Sequence, residues 1–259
     1  MRYFKGAIQL NPQHDHPLLR QVLHCGFVTH GQLWEFMARE GFEARRDCFG
    51  WRVKRLVDHG FLERHTPSGI AGSFVYSLTA DGACSLAGFG PLYPGTTTFS
   101  DRKEDLSRML HAIELNNINL ALLRSGLLLR WMSEVEVRSR NELTGGGYAK
   151  DYDAVMTLRI DDMESQVALE YERHAKADSR YVDVVARVGR ERRVDRFLYL
   201  VADFNLLLFV RRFFESTNQR VYFGVASEFE RDLLETRVVD ATSGYTRLAS
   251  ALAMAPLTQ

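Results

Sequence analysis

Apolar positions along the chain follow two rhythms, separated by one stretch with neither. In "PLLRQVLHCG" (17–26), "THGQLWEFMARE" (29–40) and "DCFGWRVKRLVDHG" (47–60), hydrophobic residues recur every three or four positions. Pro17 suits a first helical turn, Thr29 and Asp47 suit caps, and Gly26 and Gly60 suit stops, so the pattern predicts three short helices. Two β-prone runs, Phe61–His65 and Phe74–Leu78, flank a Pro/Ser/Gly loop and predict a hairpin. "AGFGPLYPGTTTFSD" (87–101) has no period and gathers Gly, Pro, Thr and Ser, which marks a domain boundary.

Beyond it, Leu106, Met109, Leu110, Ile113, Asn117, Leu120 and Ala121 lie at helical spacing, with Ser100 or Asp101 as a cap and Gly126 as the stop. Short β-prone runs follow at 130–139, 150–160 and 165–173, then a helix from Ser179, an apolar strand at 196–203, a helix at 205–217 and a strand at 220–227. The predicted order is α-β-β-β-α-β-α-β. "TGGGY" (144–148) reads as a turn, and no repeat of 20–50 residues is present. "FLYLVAD" is apolar at nearly every position and is expected at the centre of a sheet, covered on both faces.

One strand raises a question of charge. In "VALEYERHAK" (167–176), alternation puts Ala168, Glu170 and Glu172 on one face and Val167, Leu169 and Tyr171 on the other. Two carboxylates so close repel unless a cation, a proton or a basic side chain lies between them. A divalent ion is one partner; Lys176, Arg173 or His174 turned back over the acids is the other.

Composition narrows the classes. With 33 basic and 33 acidic residues, no overall polycationic character forces a nucleic-acid reading, so a local patch must carry any such binding. Between 45 and 64, Arg45, Arg46, Arg52, Lys54, Arg55 and Arg64 stand against Asp47, Asp58 and Glu63, a local excess of cations. Cys25, Cys48 and Cys84 are widely spaced and unclustered, which fits reduced thiols and argues against structural zinc. The N-terminus lacks an apolar signal core, and the longest apolar stretches are interrupted well short of the roughly 18–20 residues a span needs, so a cytoplasmic protein off the membrane is expected. No GxxxxGK[ST], GxSxG or HExxH pattern supports nucleotide hydrolysis, serine hydrolysis or zinc peptidase chemistry, and no small-molecule cofactor is indicated. His14 and His16 have Asp between and Pro after, which suits a loop better than a pair of metal ligands. His174, Glu134 with Glu136, and His111 with Glu114 read as surface positions.

Helix–turn–helix followed by a hairpin resembles bacterial winged-helix DNA-binding domains, on "RVKRLVDHGFLERH" and "YSLTADG". The resemblance implies that residues 10–90 bind double-stranded DNA, with the six basic residues of 45–64 holding phosphates. The second segment, at 100–230, resembles the PD-(D/E)xK nuclease core, an α/β (α+β overall) arrangement of α-β-β-β-α-β. That resemblance implies that Asp153 and Glu170 bind Mg²⁺ or Mn²⁺, with Glu172 standing where a lysine is expected and Lys176 the nearest lysine beyond. The departure at Glu172 leaves two readings: a metal-dependent endonuclease or nickase using Asp153, Glu170 and Glu172, or a catalytically silent scaffold or homodimerisation module. "LHAIELNNINLALLRSG", "DYDAVMTL", "ALEYERHAKADSRYVDVVAR" and "VDRFLYLVAD" resemble the replication-relaxation family of plasmids and mobile elements, which implies a role in replication, transfer or transcriptional control. Residues 240–259 are small and polar and are expected to form a mobile tail.

Overall fold

The computed structural model describes residues 8–67, 74–87, 103–160, 163–242 and 244–253, with the side chains of 103–105 excepted. Apart from Ala87, the expected linker at 87–101 lies outside them. The chain divides into two compact units, 1–116 and 117–259. Their boundary falls inside the long helix rather than in the Gly/Pro stretch where the sequence places it.

The first unit contains α1 (Asp15–Cys25), β1 (Phe27–Thr29), α2 (His30–Arg39), α3 (Arg46–Asp58), β2 (Leu62–His65), β3 (Val75–Leu78), α4 (Ala80–Leu86) and the start of α5 (Lys103–Ser125). The three predicted helices and the hairpin are present; β1 and α4 are additional. The strands form an antiparallel sheet in the order β1-β3-β2. Thr29 caps α2 through a reciprocal box with Gln32. Gly60, at φ 78°, ends α3 in the left-handed conformation, and the Phe61 amide reaches back to the Leu56 carbonyl at 2.9 Å. The "LTADG" segment is a junction: Thr79 accepts from the Gly82 amide to cap α4, and its hydroxyl donates to Gly60 O at 2.7 Å. A Cβ on Gly82 would lie 2.2 Å from the Phe61 carbonyl, so only glycine fits there. Leu18, Leu19, Leu33, Phe36, Phe49, Val53 and Leu56 fill the core.

The second unit is a seven-stranded mixed sheet, ordered β10-β9-β8-β7-β6-β5-β4. β4 (Leu128–Ser133), β5 (Ala154–Ile160) and β6 (Met163–Glu172) are antiparallel neighbours. β6, β7 (Arg196–Val201) and β8 (Arg220–Val225) run parallel, joined through α7 (Asp178–Val188) and α8 (Phe204–Arg211). β7 is the middle strand and every one of its residues is buried, as its composition predicts.

The run 130–139 is a correction. Only Leu128–Ser133 is strand; Glu134–Leu143 is helix α6, giving α-β-α-β-β-α-β-α-β in place of the expected order. The cause is a capping box, in which Glu136 accepts from the Ser133 amide at 2.8 Å. The tail is a second correction. After α9 (Ala226–Asp232), strands β9 (Arg237–Asp240) and β10 (Tyr245–Arg247) extend the sheet, and α10 (Leu248–Ala253) buries Leu248, Ala251 and Leu252. Over 240–253 the chain is therefore part of the second unit, while 254–259 lie outside the described residues.

Candidate functional site

The acidic residues sit where two opposed strand ends meet. Glu170 and Glu172 occupy the carboxyl end of β6, paired in parallel register with Tyr199 and Val201 of β7. β5 runs the other way with Ala154 opposite Leu169, so Asp153, one residue before it, arrives beside Glu170. The Asp153 carboxylate is held there by the Tyr171 amide, which donates to Oδ2 at 2.7 Å. β6 is buried on both faces from Val167 onward, so the acids lie in the interior and not on a wet face.

Their partners are two lysines and a tyrosine. The Lys150 ammonium, from the turn before β5, hydrogen-bonds Glu170 Oε1. Lys176 Nζ lies 2.9 Å from Glu172 Oε2, and the Tyr199 hydroxyl donates to the same oxygen at 3.1 Å. Burial pushes the Glu170 carboxyl up to about 7; Lys150 opposes this, and the charge of Asp153 adds to it. For Lys176, burial acts to lower the pKa, but the carboxylates of Glu172, Glu170 and Asp153 outweigh it and hold the ammonium above its ordinary value. Burial, then the charges of Glu170 and Glu172, raise the Tyr199 hydroxyl well above its usual range. Of the basic partners the sequence suggests, Lys176 reaches the acids. Lys150 escapes a reading of the strand alone, although it stands three residues before Asp153 in "KDYD".

This donor set does not fit a divalent ion held by three carboxylates. Among the described residues, no group of three or more His, Cys, Asp or Glu side chains is placed to hold a metal. Glu170 and Glu172 each have an ammonium on one oxygen instead. The three residues expected as ligands, Asp153, Glu170 and Glu172, thus lie together, with Glu170 ion-paired to Lys150, Glu172 to Lys176, and Asp153 accepting from the Tyr171 amide.

The basic residues of the first unit separate into two groups. Arg52 and Arg55 turn inward onto Asp15, a fully buried carboxylate: Arg52 Nη1 lies 2.9 Å from Oδ1, and Arg55 bonds Oδ2, which also accepts the Asn11 amide at 2.7 Å. Arg52 bonds the buried Glu43 as well. Burial acts to raise the Asp15 pKa, but the Asn11 amide and the two guanidiniums outweigh it and hold the carboxyl below its ordinary value. The expectation that Arg52 and Arg55 hold phosphates is corrected: they tie α3 to α1. Arg45, Arg46, Lys54 and Arg64 remain exposed. Arg45 pairs with Asp47 and Lys54 with Asp58, both in solvent, and the Arg64 guanidinium stacks 4.8 Å from the centre of the Phe74 ring. Trp51 on α3 is 62% exposed, with the Arg55 guanidinium 5.1 Å from the centre of its ring.

No protein-family model matches the chain, and no curated protein matches it. The resemblance to the replication-relaxation family thus stands on the quoted stretches alone. Among solved structures, the restriction endonuclease FokI is similar at 12% identity and a TM-score of 0.31, over 85% of this chain and 43% of that one. FokI bound to DNA is similar at 14% identity and a TM-score of 0.24, over 84% and 43%. The chain spans less than half the length of these structures. At such scores the likeness is too distant to bear on the chemistry of the site.

Proposed function

We propose that the chain is a DNA-binding protein whose first unit is a winged helix and whose second is a PD-(D/E)xK-like frame without hydrolytic chemistry. The observation that carries the second part is the pairing of Glu170 with Lys150 and of Glu172 with Lys176. A hydrolytic site of this kind needs its carboxylates free for a cation that activates water, whereas here each buried glutamate is already neutralised. The first part is supported by the order of helices and strands and by the exposed Arg46, Lys54 and Arg64 on α3 and the hairpin, which suit phosphate contacts. The sequence resemblance supports a role in the replication, transfer or transcriptional control of a plasmid or mobile element.

The test is binding and cleavage of duplex, supercoiled, single-stranded and branched DNA with Mg²⁺ or Mn²⁺, with Asp153→Ala as control. The proposal expects duplex binding that weakens in Lys54→Ala/Arg64→Ala, and no cleavage with either metal. Metal-dependent cleavage lost in Asp153→Ala would overturn the silent core, and absence of duplex binding would overturn the DNA-binding reading.

A further inference from the structure

We infer that the turn "RVGRERR" (187–193) is a second nucleic-acid contact of this chain, an arginine surface for the phosphate backbone of duplex DNA. The inference rests on the DNA-binding reading above and deepens it.

Arg187 closes α7, and Arg190, Arg192 and Arg193 follow in the turn; all four are exposed. The backbone is fixed by two successive turns, Arg190 N to Arg187 O at 2.9 Å and Glu191 N to Val188 O at 3.1 Å. The one acid of the segment, Glu191, is turned inward and 3% exposed. Its carboxylate accepts from the Arg192 amide at 2.9 Å, the Arg193 amide at 2.8 Å, the Ala149 amide at 2.9 Å and the Tyr152 hydroxyl at 3.0 Å. All of these are neutral donors, so the carboxylate is saturated without neutralising a guanidinium. Among the described residues, no ion pair joins any of the four arginines to a carboxylate, not even Arg187 to Asp183 one turn earlier.

The glycine run 145–147 completes the surface. Arg193 Nε donates to Gly147 O at 3.1 Å, and a Cβ on Gly146 would lie 2.3 Å from Arg193 Nη2. Glycine thus lets one guanidinium lie across the neighbouring loop. That loop is fastened by Glu191 at Ala149, next to Lys150, so the arginine turn is braced against the segment that supplies a lysine to the acidic pocket.

Two plainer explanations fall short. The negative end of α7 favours cations near its last turn, which accounts for Arg187 and Arg190 but not for Arg192 and Arg193 beyond it. Overall basicity explains nothing, because the chain carries 33 cations and 33 anions. The partner follows from what the surface offers. Four exposed guanidiniums on the end of α7 and the turn that follows, none paired with a carboxylate, suit phosphate monoanions, to which arginine binds in a forked geometry. A membrane surface would also draw on apolar side chains, and the one valine of the turn, Val188, is buried.

The experiment measures duplex-DNA affinity of the full chain against salt concentration for wild type, for Arg187→Ala/Arg190→Ala/Arg192→Ala, and for Lys54→Ala/Arg64→Ala. Arg193 is left intact because it holds Gly147. The triple variant is expected to melt like wild type and to bind several-fold more weakly on duplexes of unrelated sequence alike. Its salt slope should be shallower by about 0.9 for each phosphate that the missing arginines no longer neutralise. If the triple variant keeps the wild-type affinity and slope while Lys54→Ala/Arg64→Ala weakens binding, the arginine surface is refuted and the DNA-binding reading stands. If the wild-type chain binds no duplex at low salt, both fall together.

Discussion

Glu170 makes the stability of the second unit depend on pH in a direction that a surface carboxylate would not. Its carboxyl titrates at about 7 in the folded chain against an ordinary 4.5, because burial outweighs the help of Lys150. Between these two values the folded chain keeps a proton that the unfolded chain releases, so stability falls as pH rises through the window. At about 1.4 kcal/mol per pH unit, roughly 3 kcal/mol present below pH 4.5 is gone above pH 7, worth roughly 6–12 °C in melting temperature for a unit of this size. Other groups titrate in the same range, so the quantity to measure is a difference. Denaturant unfolding of wild type and Glu170→Gln is followed at half-unit steps from about pH 4.5 to 8. Glutamine keeps the shape, carries no titrating proton and leaves Lys150 without its acid, which adds a nearly constant offset. The difference in unfolding free energy should therefore drift by about 3 kcal/mol across the window and level off on either side. Lys150→Met provides the complementary arm: without the ammonium, the neutral form of Glu170 is favoured further and the drift moves to higher pH. A wild-type minus Glu170→Gln difference that stays flat across that range would refute the account, since a carboxylate ionised throughout has no proton to lose.

Two further outcomes follow from the packing. Asp15→Ala should cost about 3–5 kcal/mol, because it leaves Arg52 and Arg55 without their shared buried acid. Measured by thermal melts, the gap from wild type should hold at neutral pH and close only in acid, since Asp15 sits below its ordinary 3.8 and stabilises until the pH falls through its folded value. Leu252→Ala should cost about 2–5 kcal/mol by opening a cavity under α10, and it should speed tryptic cleavage at the exposed Arg247; unchanged proteolysis would mean that α10 contributes nothing to holding the tail.

Periodic features are legible in the sequence, and features set by one long-range partner are not. The helices at 15–58 and the middle strand β7 can be read because their apolar spacing is decided locally. The stretch 130–139 misleads because Glu134-Val135-Glu136-Val137 alternates like a strand, while Ser133 and Glu136 form a capping box that starts a helix; the box is visible in the sequence and outranks four residues of alternation. The tail misleads because Leu248, Ala251 and Leu252 make too short a pattern to stand out, and its burial depends on the sheet beneath. In the site, alternation is enough to align Glu170 with Glu172 and to require a partner. Which cation answers depends on where "KDYD" enters β5, a register that no local signal encodes. Arg52 and Arg55 have the same cause: a basic helix advertises phosphate binding, and only Asp15, far back on α1, shows that two of its arginines face inward.

The buried acids also explain how a chain with balanced charge presents cationic surfaces. Among the described residues Asp15, Glu43, Glu170, Glu172 and Glu191 are buried, against a single basic residue other than histidine, Arg196. Four of the five acids are paired with a cation: Arg52 and Arg55 lie on Asp15, Arg52 on Glu43, Lys150 on Glu170 and Lys176 on Glu172. Those acids cancel charge locally and leave the surface unaltered in sign. Glu191 differs, since amides and a tyrosine hydroxyl satisfy it. Removing one negative charge from the surface without a matching positive one leaves an excess at the place it left, among Arg187, Arg190, Arg192 and Arg193. A carboxylate saturated by neutral donors is thus both the brace that shapes the turn and the reason its arginines are unopposed. Counting charges along the sequence yields zero for the chain, while the inward turn of Glu191 leaves the four arginines of this surface with no acid of their own segment beside them.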